Sequence, residues 1–233
     1  MSHGSPKVVF VTGTGTEVGK TVVAAAIART LVAAGPSVAV YKPAVTGLDE
    51  GGEPDHALLR RASGSTQSDD EIAPYRYGPA TSPHLAAELA GHVIDSALLI
   101  AAARAAEGRA DALVCEGVGG LLVPLTLGYL VRDLASDLGY PLVVAASPGL
   151  GTINHTLLTI EAARAVGLEV TGVVLTPWPA EPGPIERSNR EAIERLGNVQ
   201  VEVLPLLDLN APEGWPAIQL SGRSQAADPG PPG

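Results

Sequence analysis

The chain has 233 residues, 25 of them acidic and 15 basic, giving a formal net charge of −10, and 45% are hydrophobic. That balance excludes the basic face a nucleic-acid backbone requires, and the single cysteine, Cys115, excludes a disulfide framework within the chain. No apolar run approaches the roughly 20 residues that span a bilayer, and residues 1–6 lack the apolar stretch of a signal peptide, so a cytoplasmic protein with no nucleic-acid or membrane partner is expected.

Aromatic residues make up only 3%. A core so poor in rings is filled by Ala, Val, Leu and Ile, as in parallel sheets covered on both faces. The apolar run at 8–11 reads as a buried strand, followed by a glycine-rich turn. Val22, Val23, Ala26, Ile27, Thr30 and Leu31 then recur at helical spacing until Gly35-Pro36 stops them. A second strand follows at 38–41, completing a β-α-β unit. The stretch 47–54 is loop-like, and Asp55 can cap a short helix through Leu58, Leu59 and Ala62. Helices are expected at 83–90 and 95–107, and a strand at 112–115 that ends in Glu116-Gly117-Val118-Gly119-Gly120. Strands at 141–146, 170–175 and 199–204 alternate with helices at 154–166 and 185–196. This alternation predicts a doubly wound α/β fold, a mainly parallel sheet flanked by helices, as one domain over 1–220. Residues 221–233, ending Pro-Gly-Pro-Pro-Gly, are expected to form a disordered tail, and residues 1–6 to be loose.

Between the first strand and first helix stands Gly13-Thr14-Gly15-Thr16-Glu17-Val18-Gly19-Lys20-Thr21. Successive backbone N–H groups and a helix N-terminus in this setting form a nest for phosphate oxygens. Lys20 supplies a point charge for the β- and γ-phosphates, and the Thr21 hydroxyl can ligate Mg²⁺. This is the phosphate loop of a P-loop NTPase, with five residues rather than the usual four between Gly13 and Gly19. Glu17, inside the loop, either points outward or helps hold the nucleotide or metal. Glu116 and Asp55 both follow strands at the carboxyl edge of the sheet, where ligands bind in open α/β folds. Each can be a hard-oxygen ligand for Mg²⁺, or else a turn residue and a helix cap. Lys42 ends the second strand at the same edge; it is either a solvated surface lysine or a charge that stabilises a transition state.

Taken in order, these motifs resemble the dethiobiotin synthetase family. The resemblance runs from about Val8 to Leu207. It is carried by the phosphate loop, by Tyr41-Lys42-Pro43 with Thr46-Gly47, and by Thr81-Ser82-Pro83-His84. Glu116-Gly117-Val118-Gly119-Gly120 and Leu150-Gly151-Thr152-Ile153-Asn154-His155 complete it. The resemblance implies a homodimer that uses ATP, Mg²⁺ and CO₂ to close 7,8-diaminononanoate into a cyclic urea. Carried over residue by residue, it implies Thr21, Asp55 and Glu116 as Mg²⁺ ligands and Lys20 and Lys42 as catalytic lysines. Gly15, Thr16, Glu17, Val18, Gly19, Gly117, Val118, Gly119, Thr176, Pro177, Pro205, Leu206 and Leu207 fall to the nucleotide. Thr14, Thr46, Gly151 and Asn154 fall to the substrate together with Lys42, the last two across the subunit interface.

Val118 stands where the family usually has Ala, and Thr46 where many relatives have Ser. Thr176 stands where many carry an Asn that reads adenine, and a threonine lacks the paired donor and acceptor of an amide. Cys115 reads as a small buried hydrophobe. His84 and His155 read as hydrogen-bonding residues, and Trp178 and Trp215 as packing residues. Two rivals remain: a P-loop switch NTPase of the partition or targeting type, and a related amidoligase. Switch loops typically carry an early second lysine, where this chain has Gly and Thr.

Overall fold

The computed structural model describes residues 8–219. The expectations for residues 1–6 and 221–233 therefore lie outside the described residues.

Strands β1 (Val8–Gly13), β2 (Val38–Tyr41), β5 (Ala112–Gly120), β8 (Leu142–Ala146), β9 (Val170–Trp178) and β10 (Val201–Pro205) form a six-stranded sheet in the order β10-β9-β8-β1-β5-β2. Every neighbouring pair is parallel. The chain lays β2 and β5 on one side of β1 and β8, β9 and β10 on the other. The winding thus reverses at β1, and the crevice for a ligand opens outside its carboxyl end.

Side chains alternate across the sheet, so successive residues of β1 face different layers. Val9 and Val11 pack with Ile27 of α1 (Lys20–Ala33) and Leu59 of α2 (Asp55–Ser63). Phe10, with Leu113 and Leu142, packs on the other face against α5 (Ser96–Glu107), α6 (Val131–Leu138), α7 (Thr152–Arg164) and α8 (Pro184–Gly197), through Leu99, Leu134, Ile160 and Ile193. Helices on both faces explain why the strands read as continuous apolar runs. Cys115 is fully buried, and burial pushes its thiol far above the ordinary range, as suits a packing residue. Trp178 and Trp215 each pack against one of the two cores.

The remaining elements are short. β3 (Ala44–Val45) pairs in parallel with β4 (Tyr75–Arg76), and β6 (Pro124–Thr126) pairs antiparallel with β7 (Tyr129–Leu130). One-turn α3 (Asp69–Ile72) starts on a capping box between Ser68 and Glu71, and α4 (Pro83–Leu89) follows. The free edge of β2 is covered by Gln67, which accepts from Val40 N at 2.9 Å and donates to Val40 O at 3.0 Å.

Two local expectations are corrected. The strand carrying Cys115 does not stop there: Glu116 and the following glycines continue β5 to Gly120, and the pairing with β1 resumes past an irregularity between Val11 and Gly13, with Gly13 opposite Gly120. Asp55 is not the helix cap. Pro54 holds the N-cap position in extended conformation, and Asp55 is the first helical residue with its carboxylate directed elsewhere.

Candidate active site

The register of β1 and β5 sets Glu116 opposite Val11, two residues before the phosphate loop begins. Alternation along β5 turns Val114 toward the α1 and α2 layer and Cys115 away from it, so Glu116 points to that layer again. The first turns of α1 and α2 carry Thr21 and Asp55. Three chemistries far apart in sequence are thereby brought to one point. Thr21 Oγ1 lies 2.9 Å from Asp55 Oδ1 and 2.9 Å from Glu116 Oε1. A hydroxyl has one proton, so it serves only one of the two carboxylates at a time.

Lys42 supplies the countercharge. Its strand ends with Tyr41 opposite Cys115, which delivers the next side chain beside Glu116. Lys42 Nζ donates to Glu116 Oε1 at 2.7 Å and to the Gly117 carbonyl at 3.2 Å, and lies 3.0 Å from Asp55 Oδ2. The lysine is 2% exposed, so the surface reading fails. Burial alone would lower its pKa, but Glu116 and Asp55 outweigh it and hold the ammonium protonated. For Asp55, burial pushes the carboxyl up, and Lys42 together with the Thr21 hydroxyl more than reverses this.

Glu116 is fully buried, and its Oε2 has no hydrogen-bond partner among the described residues. An orphaned carboxylate oxygen in a dry site is costly unless a ligand completes it. With Asp55 and Thr21 it makes a hard-oxygen set suited to a cation that keeps waters and phosphate in its shell. Among the described residues no group of three or more His, Cys, Asp or Glu could hold a metal ion by itself. Any cation here would therefore depend on a hydroxyl and on oxygens brought by a ligand.

The phosphate loop leads into α1, with Gly19 at the N-cap in the left-handed region, φ 83°. A Cβ on Gly19 would sit 2.5 Å from Thr176 Cγ2, and one on Gly13 would sit 2.7 Å from Lys20 Cγ. Both positions therefore demand glycine. Lys20 is buried and donates to the Gly15 carbonyl at 2.7 Å, folding its charge back into the loop. Burial lowers its pKa, with Glu116 opposing. Glu17 also adopts a left-handed conformation, φ 59°, and its side chain is exposed.

Two cavities flank the loop. One, about 550 Å³, is lined by Thr16, Glu17, Thr46, Glu50 and Thr81, and also by Val118 and Gly119. The other, about 420 Å³, is lined by Thr14, Gly15, Leu122, His155 and Leu158. Thr14 and Thr46 thus face different cavities. Thr176 is buried at the end of β9 against Gly19, with Pro177 exposed beyond it. Pro205, opposite Trp178, and Leu206 are exposed at the neighbouring end of β10, while Leu207 packs on the core. Gly151 and Asn154 are exposed at the start of α7 and line neither cavity. His84 bonds Ser82 Oγ through Nδ1 at 2.9 Å. Sequence reading missed the Gly117 carbonyl, which carries no side-chain signal. It also missed Glu50, which sits in a stretch read only as loop.

A family model described as "AAA domain" matches residues 7–212. Among curated proteins, the ATP-dependent dethiobiotin synthetase BioD of Anaeromyxobacter dehalogenans strain 2CP-1 is 46% identical, covering 80% of this chain and 84% of that protein. The protein of the same name from Rhodococcus erythropolis is 44% identical, covering 86% of each chain. That from Bacillus velezensis is 37% identical, covering 85% of this chain and 86% of its own. Among solved structures, the kinase domain of Escherichia coli tyrosine kinase ETK aligns at a TM-score of 0.44 and 16% identity, over 72% of this chain and 66% of that one. That likeness is too distant to bear on function.

Proposed function

The chain belongs to the dethiobiotin synthetase family, and on that premise we propose that it is an ATP- and Mg²⁺-dependent cyclo-ligase that converts 7,8-diaminononanoate and CO₂ to dethiobiotin. The observation that carries this reading is the convergence of Thr21, Asp55, Glu116 and Lys42 beside a phosphate loop.

The chemistry explains why such a site needs charges rather than a nucleophile. One amine adds to CO₂ and loses a proton, giving a carbamate. The carbamate oxygen takes the γ-phosphoryl group of ATP, releasing ADP. The second amine then attacks the carbamoyl carbon, and phosphate leaves as the cyclic urea closes. Each step concentrates negative charge or places two anions side by side, so positioning and neutralisation do the catalytic work.

Lys42, held protonated, would carry the carbamate and the phosphoryl group in transfer. Lys20 would leave the Gly15 carbonyl for the β- and γ-phosphates, which the amides from Gly15 to Lys20 also receive. Thr21 Oγ1 with the Asp55 and Glu116 carboxylates would hold Mg²⁺, which neutralises charge on the phosphates when bound. Glu116 Oε2, without a partner among the described residues, is the oxygen best explained by that ligation. Thr46 would offer its hydroxyl to the substrate from the larger cavity and Thr14 from the smaller one, with Thr16 left to the nucleotide. Thr176, Pro177, Pro205, Leu206 and Leu207 would border the base. Gly151 and Asn154 would serve a second copy, their helix N-terminus facing the substrate carboxylate across a homodimer interface. Among the described residues no helix is long and apolar enough to cross a membrane, and a cytoplasmic location fits the small-molecule chemistry.

The test is phosphate release with ATP, Mg²⁺ and bicarbonate, with and without 7,8-diaminononanoate, and a mass-spectrometric search for the cyclic urea. Diamine-dependent release with that product is the expected result. Release that ignores the diamine would overturn the reading in favour of a switch NTPase.

A further inference from the structure

The larger cavity is lined by two carboxylates, both exposed. Glu50 and Glu17 both line it, and neither carboxylate has a hydrogen-bond or ion-pair partner among the described residues. Glu17 belongs to the phosphate loop, but Glu50 comes from a separate strap, the 3₁₀ turn Leu48–Glu50. That strap is held firmly. Gly47 N, Leu48 N and Asp49 N donate to the carbonyls of Pro79, Tyr77 and Gly78 at 3.1, 3.2 and 3.0 Å, and Glu50 N closes the turn on Gly47 O at 3.1 Å. Asp49 turns against Gly78, where an added Cβ would meet its carboxylate at 2.3 Å. The next side chain, Glu50, is left facing the cavity, its Oε2 lying 3.8 Å from where a Cβ on Gly47 would be.

The backbone of the strap is held, the Glu50 side chain itself is exposed, and a carboxylate there cannot serve phosphate, which it repels. The ligand it suits is a cation. Aliphatic amines of the lysine kind titrate near about 10.4, so a diamine carries at least one ammonium at neutral pH. We propose that Glu50 is a specificity residue that binds the protonated, non-reacting amine of a diamine substrate, leaving the other amine free to take up CO₂. This inference rests on the synthetase reading and names how its substrate is selected.

The experiment compares the full-length enzyme with Glu50→Gln, Glu50→Asp and the control Glu191→Gln, which removes the same charge from an exposed position on α8. Two quantities are measured: the KM values for 7,8-diaminononanoate and ATP, and the calorimetric affinity for 1,2-diaminopropane alone, which requires no turnover. Glu50→Gln should raise the diamine KM and weaken diaminopropane binding about fivefold or more. The ATP KM should stay within about twofold, Glu50→Asp should recover part of the loss, and high salt should shrink the difference. Unchanged diamine constants, or an ATP KM that moves in step, would overturn the proposal. Dethiobiotin formation indifferent to Glu50 sinks this inference and leaves the synthetase reading intact. Absence of dethiobiotin with Glu50-dependent diamine binding does the reverse.

Discussion

Removing the Lys42 side chain would leave Glu116 and the Asp55 carboxylate facing one another with their shared cation gone. Both contacts are short, and Lys42 and Glu116 are buried, so each charge was compensated mainly by that ammonium. Lys42→Ala should therefore lower dethiobiotin formation by about 100-fold or more, while nucleotide still binds the phosphate loop. Steady-state product formation beside equilibrium nucleotide binding checks this. Normal product formation would remove Lys42 from the mechanism. Thr176 presents a different question at the same scale. It packs its methyl on Gly19 and has no amide with which to read a base. The enzyme should accept CTP and GTP with kcat/KM within about tenfold of ATP, because without the amide the remaining discrimination is of the order of one net hydrogen bond, about 1 kcal/mol. Thr176→Asn, nearly equal in volume, should widen the gap in favour of ATP.

At the scale of elements, the phosphate loop is a matched pair with the end of β9. Gly19 holds a left-handed φ of 83°, and the space a Cβ would take is filled by Thr176 Cγ2. Gly19→Ala has to strain the backbone and push the loop from β9 together. It should cost about 2 kcal/mol of stability and most of the nucleotide affinity. Gly15→Ala meets nothing within 4 Å and should leave the thermal midpoint almost unchanged. Thermal melts of both variants make the comparison. The loop and the elements beside it were legible because a strand, a Gly-Lys-Thr turn and an apolar helix each write a strong local pattern. Glu116 was legible by position alone. The short elements were not. β3 and β4 are two residues each and show no alternation, and α3 is a single turn without periodicity. α6 does carry an apolar stripe, Val131, Leu134, Ala135 and Leu138, but its N-cap is Leu130. The start is satisfied from inside the helix, by Asp133 accepting from Leu130 N at 2.8 Å, so the usual start signal is missing. Asp55 misled for the opposite reason: a good capping residue was committed to Thr21 and Lys42 instead.

For the whole molecule, the remaining question is what covers the α7 side of the phosphate loop. Leu122 and Leu158 are 53% and 56% exposed and line the smaller cavity with Thr14, Gly15 and His155, and Leu150 nearby in sequence is 95% exposed. Apolar side chains gathered against a ligand cradle mark a contact surface more often than a free one. His155 and Leu158 stand one helical turn apart on α7, so they present one face. A second copy docked on that face would wall off Thr14 and Gly15. It would also bring Gly151 and Asn154, which line neither cavity in one chain, within reach of a substrate in the other. The enzyme should therefore sediment as a dimer. Leu158→Glu buries a carboxylate in that contact, and a buried unpaired charge is costly. It should yield monomers that bind nucleotide within about threefold of the parent yet lose at least about tenfold in diamine-dependent phosphate release, because the elements missing are those for the substrate rather than for the phosphates. Sedimentation velocity with parallel activity measurements decides it: a fully active monomer would show that one chain completes its own site.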